Sequence, residues 1–67
     1  MTYEEGIQWL LAHGGSITSK GVAAGAEVVA SARDISASVI AERPSDRSDV
    51  RRCELEAIVQ LKRILEA

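Results

Sequence analysis

Four arginines and one cysteine are the side chains here best suited to chemistry. Arg43, Arg47, Arg51 and Arg52 crowd the stretch ERPSDRSDVRRC, and Cys53 closes it. Guanidinium forks match phosphate and carboxylate oxygens. If the stretch opens a helix, the free backbone N–H groups at that end add to the pull on an anion. Positive charge at a helix N-terminus works against the dipole, so the cluster needs a reason. Small-anion or nucleotide capture is one reason. Local pairing with Asp46, Asp49, Glu54 and Glu56 across single turns is the plainer one. Cys53 as a nucleophile would need a base, and His13 is the only ordinary candidate. His13 stands four residues after Trp9 and directly before Gly14-Gly15, where a histidine reads as a cap on the helix end. No glycine-rich loop followed by Lys-Ser/Thr occurs. Cys53 and His13 fall short of the roughly four ligands of a structural zinc site. The reading is therefore not an enzyme, with no catalytic residues, no cofactor and no metal.

The elements that would carry these residues read as helices. Thr2-Tyr3-Glu4-Glu5 has the form of a capping box, and Gly14-Gly15 ends what it starts, giving a first helix over about 3–13. A second helix is expected over about 20–42, after the linker SITSKG. Arg43 precedes Pro44, which pushes it out of the helical region. Ser45 or Asp46 then caps a third helix over about 46–66. The short connection predicts an antiparallel helical hairpin. The fold class expected is all-α, one three-helix domain.

At about 100° per residue, residues 20–42 are apolar on nearly every side. Ala24, Val28, Ala32, Ile35 and Val39 form one stripe. Ala23, Ala26, Ala30, Ala37 and Ala41 form another, broken only by Arg33 and Asp34. A helix apolar all round is buried all round. A chain of 67 residues has too little else to cover it. The inference is a self-associating bundle, a dimer or higher oligomer, with Val22, Ala26, Val29, Ala30, Ala37 and Ile40 at the subunit interface. Val50, Cys53, Ala57, Ile58, Leu61, Ile64 and Leu65 make the inner arc of the third helix. Leu55 and Val59 fall outside it and, with Trp9, are the candidates for contact with a partner protein.

The net charge of −2 is no footprint for nucleic acid or an anionic membrane. Glu4 and Glu5 stand where a secretory leader would be basic. Glu27, Arg33 and Asp34 interrupt the one long apolar stretch, so no span is expected and the setting reads as cytoplasmic. The function expected is a small non-enzymatic regulator that binds, and inhibits or bridges, a partner protein. Two alternatives come from likeness. WLLAHGGSITSKGVAAGAEV resembles the opening of helix-turn-helix DNA-binding domains over about a third of the chain. It lacks their turn glycine near Glu27, and it offers Arg33 alone as a donor in the would-be recognition helix. Residues 42–57 bear a short likeness to the Pro-x-x-Arg hairpin of phage proteins that sequester cyclic nucleotides. That likeness implies anion binding by the arginines.

Overall fold

The computed structural model describes the whole chain, Met1–Ala67. Its elements run α1 (Tyr3–Ala12), β1 (Ser16–Val22), β2 (Gly25–Ala32), β3 (Ile35–Ala41) and α2 (Arg47–Glu66). The chain is thus α+β and not all-α. The two outer helices stand close to where the sequence puts them. The expected helix over 20–42 is instead most of a three-stranded antiparallel sheet in the order β1-β2-β3. There is no three-helix bundle and no helical hairpin.

The terminal signals of α1 are realised as read. The Thr2 hydroxyl accepts the Glu5 N–H at 3.2 Å, and the Glu5 carboxylate accepts the Thr2 N–H at 2.8 Å. At the other end Gly14 takes φ +67. Its N–H reaches the Leu11 carbonyl at 3.1 Å, and the Gly15 N–H reaches Leu10 at 2.8 Å. These two bonds are the Schellman stop, which needs a residue tolerant of the left-handed conformation. At the start of α2, Asp46 is the N-cap, its carboxylate accepting the Ser48 and Asp49 N–H groups.

Strand geometry resolves what looked like an all-apolar helix. Side chains alternate between the two faces of a sheet. On β2, Val28, Ala30 and Ala32 are buried, while Glu27, Val29 and Ser31 between them are not. On β3, Ala37 and Ala41 are buried and Ile35 and Val39 are partly so, while Ser36, Ser38 and Ile40 are exposed. The register sets Val28 beside Val39 and Ala30 beside Ala37, so one face of the sheet is continuous and apolar. Cys53, Ala57, Ile58 and Leu61 of α2 cover it, and Leu10 of α1 joins them. Ala30, Ala32, Ala37 and Ala41 are the shallow floor that lets α2 settle on the sheet. Alanine's helix propensity is worth only a few tenths of a kcal/mol per residue, roughly. Burying a whole sheet face outweighs it.

Helix α1 packs on α2 from the side. Tyr3 donates its hydroxyl to Glu54 Oε1 at 3.3 Å, and the Arg51 guanidinium lies 5.5 Å from the Tyr3 ring centre. One turn along, Leu55 and Ile58 close on Gly6, where a Cβ would stand 3.0 Å from the Leu55 methyl. Both helices lie on one side of the sheet. The other side is bare: Ser16, Thr18, Lys20 and Val22 of β1, then Glu27, Val29 and Ser31 of β2, then Ser36, Ser38 and Ile40 of β3, by the register.

Candidate interaction surface

The four arginines do not converge. Arg52 turns towards β3, where its Nη2 meets Asp49 Oδ1 at 2.6 Å and its Nη1 lies 3.8 Å from Glu56. Arg47 and Arg51 sit on another flank of α2, around a shallow hollow with Pro44, Val50 and Glu54. Arg43 keeps its backbone N–H on Asp49 Oδ2 at 3.2 Å, with its side chain exposed. The local pairing read from the sequence therefore holds for Arg52, and Arg51 spends its charge over the Tyr3 ring.

Asp49 ties this corner together. It accepts from Arg52 and from the Arg43 backbone, and the Arg52 hydrogen bond is the main reason its carboxyl is held below the ordinary value of 3.8. One turn further, the Cys53 thiol is 1 % exposed. Burial, and then the charge of Asp49, push its pKa above the usual 9.0. The thiol donates weakly to the Ile40 carbonyl oxygen, 3.8 Å away. A buried thiol beside a carbonyl packs as a small apolar side chain. His13 is far from Cys53 along the chain, just past the end of α1. It stacks on Trp9 at 4.2 Å between ring centres, with Nδ1 2.8 Å from the Trp9 carbonyl oxygen. That carbonyl only accepts, so the ring nitrogen donates, and His13 serves as a cap on α1.

The other residues singled out by sequence divide by location. Ala30 and Ala37 are buried in the chain's own core, and Ala26 packs at its margin. Val22, Val29 and Ile40 lie on the bare face of the sheet, where Ile40 is 41 % exposed. Leu55 is half-buried, with its methyl close to Gly6. Val59 is half-buried beside it. Trp9 packs partly against the core. The helix-turn-helix likeness fails outright, because the would-be recognition helix is β2 and β3.

Sequence reasoning missed the edges of the sheet. β3 pairs with β2 on one side and with nothing on the other. Its residues ISASVIA carry no charge, proline or glycine. Proteins usually blunt such an edge with one of these devices. Beside its C-terminal half, between Val39 and Ile40 and the first turns of α2, lies a hollow of about 370 Å³. Glu42, Asp46, Asp49 and Glu56 line it, with Arg43, Arg52 and Cys53. The period-2 pattern of Ile35, Ala37, Val39 and Ala41 was the signal that could have revealed the strand.

Neither a protein-family model, nor a curated protein, nor a solved structure matches this chain. No helix is long and apolar enough to cross a membrane.

Proposed function

We propose that the chain is a non-enzymatic interaction domain that takes an extended segment of another polypeptide as a fourth strand along β3. The observation that carries this is the charge-less outer edge of β3, which no strand pairs and where only the Ile40 carbonyl takes a weak contact, from the Cys53 thiol at 3.8 Å, set beside a helix that walls a groove. Strand addition of this kind draws affinity from main-chain hydrogen bonds and specificity from pockets that receive alternate side chains. Random peptides displayed on phage and selected on the immobilised chain test it. Enriched peptides should slow amide exchange along Ile35–Ala41 and lose binding to a Ser38→Pro variant that still melts cooperatively. Enriched peptides that protect α1 or the bare sheet face instead would overturn it.

A second copy is the other strand that fits the edge. Turned antiparallel about Ser38, β3 meets itself over its full length, Ser36 opposite Ile40 and Ala37 opposite Val39, with no charge in the ladder. The core is built largely of alanines, Ala30, Ala32, Ala37, Ala41 and Ala57, so stability is modest and self-association would add to it. Sedimentation equilibrium decides this reading. A dimer that Ser38→Lys converts to monomer supports it, and a monomer at all concentrations rejects it.

A further inference from the structure

We infer that the segment accepted along β3 is basic, with a lysine or arginine entering the hollow between β3 and α2. The inference rests on the strand-addition reading and adds the chemistry of the partner. An added strand would point every second side chain to the helix side of the sheet. On that side, next to Val39, the space is not filled by protein; it is the hollow walled by α2.

The charge of that wall sets what can enter. Arg52 is committed to Asp49 at 2.6 Å, and Asp46 spends one carboxylate oxygen on the N-terminus of α2. Glu42 is exposed and makes no ion pair, and Glu56 is held only by a 3.8 Å approach to Arg52. Those two carboxylates both line the hollow, one following β3 and one on α2. Arg43 is the single cation there without a carboxylate partner, so the lining carries excess negative charge. A long cationic side chain can set its charge among the lining carboxylates while its methylenes lie along Val39. An acidic side chain entering the same place would meet like charge.

Beyond the hollow, the edge itself makes no electrostatic demand, since β3 has no ionisable side chain. Discrimination by charge therefore belongs to the groove alone. β3 itself offers no basic residue to the groove, so a second copy paired through β3 is the poorer occupant.

Two blocked heptapeptides separate the claims: Thr-Val-Lys-Val-Lys-Val-Thr, and the same peptide with Glu for Lys. Each is titrated into the ¹⁵N-labelled full chain. The lysine peptide is expected to shift the Ile35–Ala41 amides and to bind about fivefold tighter than the glutamate peptide, the worth of a good exposed ion pair. In an E42Q/E56Q variant that melts as the parent does, the ratio should fall towards one. If both peptides bind β3 equally, the basic preference is wrong and strand addition stands. If neither shifts the β3 amides, strand addition falls, and the inference with it. If the edge is already closed by a second copy, shown by a concentration-dependent mass, the partner assignment is overturned in favour of a dimer.

Discussion

The two edges of the sheet are finished differently. At β1, Ser16, Thr18, Ser19, Lys20 and Gly21 are exposed, and Lys20 reaches across the bare face to Glu27 at 3.5 Å. A Cβ added at Gly21 would meet nothing within 4 Å, so no other element overhangs that end of the strand. At β3 the strand is apolar and serine-rich, and α2 lies so near that its Cys53 thiol touches the Ile40 carbonyl. One edge is charged and open to water. The other is uncharged and walled. An edge becomes a docking place when most of its main-chain groups lack a strong partner, nothing repels a strand, and a neighbour supplies selectivity.

That contrast can be broken most severely at Gly25. Its φ is +141, and a Cβ there would strike the Ala41 carbonyl at the end of β3. Gly25→Ala should cost about 3 kcal/mol in a denaturant melt. Gly21→Ala on β1 should change stability by less than about 0.5 kcal/mol. Equal costs at the two glycines would erase the distinction. The β2–β3 turn gives the next largest effect. Arg33 and Asp34 hold φ of 53 and 67, the type I′ arrangement that favours Asn-Gly. Replacing the pair by Asn-Gly should stabilise the chain by about 1 kcal/mol and slow exchange at β3 more than at β1.

Asp49 tests the groove side through pH. Its folded pKa lies below the ordinary 3.8, chiefly through the Arg52 hydrogen bond. Its contribution is thus fully present above that value and is lost as the pH falls below it, through the folded pKa. Asp49→Asn should flatten the acid limb of the melting temperature below pH 3.8 and loosen the start of α2. An unchanged acid limb would show that the Arg52 contact is not formed in solution. The smallest effect is expected at β1. Lys20→Ala should cost about 0.3 kcal/mol, because the ammonium is mostly in water.

How much of this could be read from the chain follows from where each signal is local. The cap at Thr2 and Glu5, the stop at Gly14-Gly15 and the cap at Asp46 are side-chain to backbone bonds within a few residues. They were legible and placed both helices. Residues 16–41 were not, because alanine and serine fit helix and strand alike and only a distant partner decides. The second turn also gave no warning, since Arg33-Asp34 is not a usual type I′ pair. The arginines of the candidate site were visible in the sequence, but their division between two flanks of α2 was not. The edge of β3 became visible only once the strand was known.

Tyr3 and Glu54 touch across 51 positions of chain. The strands of the meander, in contrast, meet across turns of two residues, as Ala32 meets Ile35. Closing a short loop costs less chain entropy than closing a long one. The sheet can therefore assemble by near-neighbour steps, with α2 folding back onto the strand just before it. Helix α1 meets the sheet through Leu10, but its contact with α2 needs almost the whole polypeptide in place. Wherever α1 is displaced, Leu55 and Ile58 lose the cover of Gly6, and the core loses Leu10.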